Sequence, residues 1–231
     1  MQLQGILLVD KPKTWTSFDV VNYVRRIVAN VNGTKPRNTK VGHCGTLDPL
    51  ATGLLVLVVG KEYTRRAGEF TKRDKIYEVE LKLGEVSTTG DAEGEKTIVS
   101  DTIPAENAVT EALSTFQGEI MQTPPIYSAM KVNGQRAYKL ARAGKEVELE
   151  ARLVTIHQNL LTGYEYPNIK FTSHVSSGTY IRSLVEDIGK ALETGAYMTE
   201  LRRTSIGDFS INDAVSVENL DAEIIQNNLI A

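Results

Sequence analysis

Asp48 is the first residue whose setting suggests chemistry. It lies in Val41-Gly42-His43-Cys44-Gly45-Thr46-Leu47-Asp48-Pro49-Leu50-Ala51-Thr52-Gly53, a stretch with three glycines and a proline, and apolar side chains flank it on both sides. A carboxylate held in such a frame is suited to act as a nucleophile. Proline at 49 biases Asp48 toward extended backbone. A lone loop aspartate also commonly forms an Asx-turn or caps a helix, so residue type alone leaves both readings open. Arg182 follows Gly178 in the predicted first turn of a helix, where the dipole disfavours a cation and an anionic partner is needed. That partner is a carboxylate or a phosphate: Asp48, whose charge the guanidinium would preserve, a phosphate of a bound ligand, or Glu186 one turn on, a pair worth only about 0.2–0.5 kcal/mol. Tyr77 falls on the inward side of a predicted strand. It is either a packing residue or a ring and hydroxyl that stack on and hydrogen-bond a base.

Other chemistries fail on spacing. Gly60-Lys61 is followed by Glu62 and the preceding glycine is Gly53, which excludes a phosphate-binding Gly-x-x-x-x-Gly-Lys-Ser/Thr loop. Neither Gly-x-Gly-x-x-Gly nor Gly-x-Ser-x-Gly occurs, so a dinucleotide fold and a serine-hydrolase elbow are not indicated. The one cysteine, Cys44, forms no internal disulfide, and with His43, His157 and His174 it has no zinc-ligand spacing, so no metal is expected.

The elements that must position Asp48, Tyr77 and Arg182 follow from periodicity. A strand is predicted over residues 4–9, then a turn and a helix capped near Thr16-Ser17. Its stripe is Phe18, Val20, Val21, Val24, Ile27 and Val28, with Arg25 and Arg26 expected in the last turns. Residues 30–40 are polar and basic without periodicity and read as a mobile, phosphate-contacting loop. Leu54–Val59 is a buried strand, and Lys75–Leu83 alternates with Tyr77, Val79, Leu81 and Leu83 inward. Gly84–Lys96 reads as a loop and Pro104–Phe116 as a helix. Asn133-Gly134 marks a hairpin, and Ala137–Ala143 a short basic helix. Strands over 147–161 and 168–175, a helix after Gly178, a strand pair over 197–211 and a closing helix from Val217 complete the chain. Hairpin-linked strands with irregularly interspersed helices point to an α+β fold.

Composition sets the class. With 231 residues, 41% hydrophobic and 24% charged, the chain suits a folded globular protein rather than a disordered or fibrous one. Its longest apolar run, Leu54–Val59, is six residues against the roughly 20 that span a bilayer, so no membrane partner is expected. Gly5–Val9 is too short for a signal sequence, which makes the cytoplasm the expected location. The net charge of −3 hides an asymmetry: residues 1–75 hold 13 basic against six acidic side chains. A basic surface facing a polyanion is the corresponding expectation.

Six ordered blocks carry a family resemblance. They are Gly5-Ile6-Leu7-Leu8-Val9-Asp10-Lys11-Pro12, the loop 42–53, Lys75-Ile76-Tyr77, Thr123-Pro124-Pro125-Ile126-Tyr127-Ser128-Ala129-Met130-Lys131, Gly178-Thr179-Tyr180-Ile181-Arg182-Ser183-Leu184, and Leu201-Arg202-Arg203-Thr204. Together they resemble the TruB-type tRNA pseudouridine synthases over nearly the whole chain. The resemblance implies the pseudouridine synthase fold, a mixed and mainly antiparallel central sheet with flanking helices. It also implies isomerisation of uridine 55 in the T-loop of tRNA, without metal or cofactor. Position by position, Asp48 is the implied nucleophile, Arg182 its partner, and Tyr77 the residue against the flipped base. His43, Tyr180 and Leu201 are implied to line the nucleotide pocket. Cys44 stands where threonine is more usual, and Tyr197 where a histidine is often seen. The expectation is one catalytic domain over residues 1–231 acting as a monomer on the T-loop and arm of tRNA. An RNA-contacting appendage is expected around 124–152, and the further C-terminal RNA-binding domain of many family members is not expected within these 231 residues. An alternative of another class is an RNA-folding helper in which catalysis is incidental; a guide-RNA-dependent relative ranks below both.

Overall fold

A computed structural model describes residues 2–128, 130–132 and 134–231. The chain divides into two compact units, Met1–Tyr77 with Leu201–Ala231, and Glu78–Glu200. The fold is mixed α and β with mainly antiparallel strand pairing, as the hairpin-rich pattern predicts.

In the first unit the strand Thr52–Val59 is central. Gly5–Lys11 pairs with it antiparallel on one edge, with Gly5 opposite Val59 and Lys11 opposite Gly53. Arg202 and Arg203 of the strand Ala196–Ile206 pair with Thr52 and Gly53 in parallel. Val41–His43 also pairs with it antiparallel. Its uninterrupted apolar run reflects burial on both faces. Leu55, Leu57 and Val59 pack with Val20, Val21, Val24 and Val28 of the helix Ser17–Val31. Leu54, Val56 and Val58 pack with Cys44, Phe70 and Ile206.

That helix starts where the sequence predicts, with a reciprocal capping box. Thr16 Oγ1 accepts from the Asp19 amide at 3.1 Å, and the Asp19 carboxylate accepts from the Thr16 amide at 2.9 Å. It continues to Val31, so Arg25 and Arg26 lie mid-helix and the last turn holds no basic residue. Valine and isoleucine packing against the sheet extends the helix beyond the point where charge patterning ended it. The segment 30–40, expected to be a mobile loop, is tied down. The Asn32 side chain bonds the Leu3 amide and carbonyl at 2.8 and 3.3 Å, Thr34 and Thr39 share a hydroxyl bond of 2.7 Å, and Pro36–Asn38 forms a 3-10 turn.

In the second unit Gly118–Gln122, Arg152–Glu165 and Asn168–Val175 form an antiparallel ladder. The helix Glu106–Thr115 buries Val109, Ala112 and Leu113, and the helix Ile181–Ala191 buries Leu184, Val185 and Ile188. Within the predicted 84–96 loop, Glu85–Ser87 instead pairs with Lys96–Ile98. Lys131–Val132 pairs with Gln135–Arg136 ahead of the helix Ala137–Arg142. The predicted turn residue Asn133 lies outside the described residues. Among the described residues no helix is long and apolar enough to cross a membrane.

Candidate active site

The loop bearing Asp48 is anchored at several points, all within the first unit. Ser17, 2% exposed, receives a bond from the Leu47 amide at 2.8 Å and donates to the Leu47 carbonyl at 2.9 Å. The Thr14 amide donates to the Pro49 carbonyl at 2.8 Å, and the Ala51 amide closes a turn onto the Asp48 carbonyl at 3.1 Å. Arg203, almost wholly buried, donates to the Leu54 carbonyl at 2.8 Å and the Gly45 carbonyl at 3.1 Å. Leu47 and Leu50 are buried while Asp48 between them is half-buried. A carboxylate on so constrained a backbone has a fixed place without being sealed from a substrate.

Two buried lysines belong to the same unit. Lys11 Nζ donates to the carbonyls of Pro12 and Trp15 at 2.9 and 2.6 Å. Burial pushes its ammonium from 10.5 down to about 8, an effect the negative charge of Asp48 partly offsets. Lys75 Nζ donates to the Thr71 carbonyl at 2.9 Å and also to that of Arg73. Burial first, and then the Arg203 guanidinium, lower it to about 8 as well. The Asp48 carboxylate and the Lys11 ammonium thus lie close enough to feel each other's charge. Cys44, in the same loop, is buried and its thiol is pushed up to about 11, the state of an unreactive structural cysteine.

Four of the six predicted site residues belong to this unit. Tyr77 is 7% exposed, on the inward side of Lys75–Leu83, and its hydroxyl makes no hydrogen bond among the described residues. Its neighbour Ile76 is bonded through its carbonyl to Thr204 Oγ1 at 3.3 Å. Leu201 is buried and precedes Arg202, which pairs with Thr52 at the end of the Asp48 loop. Arg202 also grips Asp10 with two bonds, 2.7 and 3.1 Å. His43 is half-buried opposite Leu57.

Tyr180 and Arg182 belong to the second unit. The Gln122 side chain clamps the backbone of Tyr180, accepting from its amide at 2.8 Å and donating to its carbonyl at 3.1 Å, which sets the start of the helix Ile181–Ala191. Arg182 is 6% exposed in the first turn, as the pattern predicts. It donates to the Tyr127 carbonyl at 2.9 Å and the Thr89 carbonyl at 3.2 Å, and the buried Asp91 carboxylate lies 3.6 Å away. Asp91 in turn accepts from Thr89 Oγ1 at 2.5 Å and the Glu93 amide at 3.0 Å. Burial raises the Glu186 carboxyl, with Arg182 acting in the opposite sense.

Sequence reasoning missed Asp91, which looked like one polar residue in a Gly/Asp/Thr loop. It read Ser17 only as a cap. Lys11 and Arg203 sit in two of the six motif blocks, but nothing in their type announces full burial, because lysine and arginine are almost never fully buried unless partnered.

Residues 32–181 match the family described as TruB family pseudouridylate synthase, N-terminal domain, and residues 182–229 match the tRNA pseudouridylate synthase B C-terminal domain. The tRNA pseudouridine synthase B of Clostridium acetobutylicum is 43% identical over 228 residues, covering 99% of this chain and 76% of its own. That of Cupriavidus metallidurans is 44% identical over 223 residues, covering 96% and 68%. A chain from the crystal structure of a Cbf5-Nop10-Gar1 complex is similar with a TM-score of 0.70 and 28% identity, over 95% of this chain and 54% of that one. A chain from an H/ACA RNP bound to a substrate RNA containing 2′-deoxyuridine gives 0.69 and 25%, over 95% and 53%. This chain thus spans about half the length of those two solved chains. Matched over more than half its length by the family pattern, and over 40% identical to these two relatives across nearly all of it, the chain belongs to the TruB family of pseudouridylate synthases.

Proposed function

We propose that this protein converts uridine 55 in the T-loop of tRNA to pseudouridine, with Asp48 as nucleophile and Tyr77 and Arg182 as its catalytic partners. The observation that carries this reading is the half-buried Asp48 carboxylate on a backbone pinned by Ser17, Thr14 and Arg203. The target uridine leaves its stack to meet the carboxylate, at a cost of a few kcal/mol offset by contacts to its face and backbone. The N1–C1′ bond breaks, C5 of the same base bonds to C1′, the C5 proton leaves and N1 gains one. Atoms and electrons balance within the nucleotide, so no cofactor or metal is called on. Tyr77 offers its ring to the base, with its hydroxyl available to move a proton. On the family resemblance, His43, Tyr180 and Leu201 are assigned to nucleotide binding. The whole of residues 1–231 serves as the catalytic domain of a cytoplasmic monomer, with 124–152 touching the RNA.

The test is pseudouridine formation in an unmodified tRNA transcript. Wild-type protein is expected to form it at one T-loop position, and Asp48→Asn to lose at least about a thousandfold in rate while still binding the transcript. Turnover by Asp48→Asn close to wild type would overturn the assignment.

A further inference from the structure

The first unit carries a concavity that the chemistry above does not use. It is a cleft of about 850 Å³, of a size that takes a small ligand or part of a larger one. Its walls come from the chain start, the end of the helix Ser17–Val31, the segment 32–40 and the helix Lys61–Arg65. Gly60 closes one side. Its φ is +93°, and a Cβ there would meet Gln4 Cβ at 2.9 Å, so only glycine lets the strand end approach the N-terminal segment.

Lys40, Lys61 and Arg65 line this cleft from two separate segments. All three are exposed, and none makes a side-chain hydrogen bond or ion pair among the described residues. Arg66 also lines it but is held by Glu69 at 3.2 Å. Glu62 is the one carboxylate of the lining. Gln4 and Asn38 add amides on the same walls. Unpartnered cations converging on one hollow with amides between them present the donors that phosphate oxygens and ribose hydroxyls need. Four of the 13 basic side chains of residues 1–75 line this one cleft.

The cleft is remote from the reacting carboxylate. The strand Thr52–Val59 separates them, with the Asp48 loop at its start and Gly60 at its end, a span of roughly 25 Å at the rise of an extended chain. We propose that this cleft is a second RNA-binding site, holding backbone phosphates of the tRNA outside the segment that carries the target uridine. The inference rests on tRNA being the substrate. It adds where affinity arises away from the chemistry.

The experiment compares wild type with the triple variant Lys40→Glu, Lys61→Glu, Arg65→Glu, and with the milder triple glutamine variant. All three positions are exposed, so unchanged melting temperatures establish that folding is intact. Binding to full-length tRNA and to an excised T-arm hairpin is read by fluorescence anisotropy across a salt series, and isomerisation is measured on both. The glutamate variant is expected to bind full-length tRNA at least about tenfold more weakly. Its log–log salt slope becomes shallower by about 2 to 3, as loss of three phosphate contacts requires. The glutamine variant falls between. Both are expected to isomerise the hairpin with unchanged kcat and KM. Unchanged affinity and slope on full-length tRNA would overturn the proposal, and so would an equal loss on the hairpin, which would place the contact within the T-arm. Because binding is read separately from turnover, wild-type protein that binds tRNA through the cleft yet forms no pseudouridine would sink the proposed activity and leave the cleft standing.

Discussion

Ser17 and the backbone of Leu47 satisfy each other completely: one hydroxyl accepts from the Leu47 amide at 2.8 Å and donates to its carbonyl at 2.9 Å, with both groups away from water. The first residue of a helix is thereby locked to the residue before the proposed nucleophile. Replacing Ser17 by alanine strands a buried amide and a buried carbonyl, a cost of about 1–3 kcal/mol. Ser17→Ala is therefore expected to melt earlier. It should also lose at least about tenfold in kcat with little change in KM, since a small displacement of a reacting group is costly. Thermal denaturation and steady-state isomerisation check both parts.

Gly53 pairs with Arg203 at a φ of +100°, and a Cβ there would lie 2.3 Å from the Arg203 carbonyl oxygen. Backbone cannot yield as a flexible side chain does, so Gly53→Ala is expected to destabilise by about 3 kcal/mol or more. Gly68, in the helix Ala67–Thr71, has nothing within 4 Å of the place a Cβ would take. Gly68→Ala is expected to be neutral or to stabilise by up to about 1 kcal/mol. Urea denaturation of the two variants side by side measures the contrast.

The buried ammonium groups of Lys11 and Lys75 lie near 8 in the folded protein against 10.5 in the unfolded chain. Between those values the unfolded state binds more protons, so these groups make stability rise with pH from about 8 to 10.5. Below pH 8 the full cost of keeping them charged and buried is present. The stability of wild type relative to Lys11→Met should accordingly increase across that window, by about 1–3 kcal/mol. A difference that stays flat or falls contradicts the assignment.

Asp91 and Arg182 form a buried pair at 3.6 Å, with side chains 5% and 7% exposed. Asp91→Ala removes the carboxylate and leaves the guanidinium buried, an expected loss of about 3–5 kcal/mol. Asp91→Asn keeps an acceptor for Thr89 and the Glu93 amide and should retain more stability than Asp91→Ala. The ordering of the two melting temperatures is the measurement.

Cys44 is fully buried with its thiol pushed up to about 11. The native protein is expected to leave a thiol-directed chromogenic reagent unreacted over a time in which the unfolded chain reacts with one equivalent.

Local patterning carried much of this architecture. The alternation of Lys75–Leu83 put Tyr77 inward, and the strand Asn168–Val175 and the helix after Gly178 were legible from apolar spacing. These are readable because side-chain period and solvent contact are set residue by residue along the chain. The ordered motif blocks named Asp48, Tyr77 and Arg182 as residues worth testing, because a family's chemistry constrains residue type at those positions. What spacing cannot carry is which distant atoms complete a buried polar group. Ser17 lies 30 residues from Leu47, Arg203 lies 158 from Gly45, and Arg182 lies 55 from Tyr127. The full burial of Lys11 and Arg203, and the tying of the segment 30–40 to Leu3, follow only once the folded chain supplies carbonyls that replace water around each charge or amide. The chain order held the inventory of groups, and tertiary packing decided which of them lost solvent and therefore had to find one another.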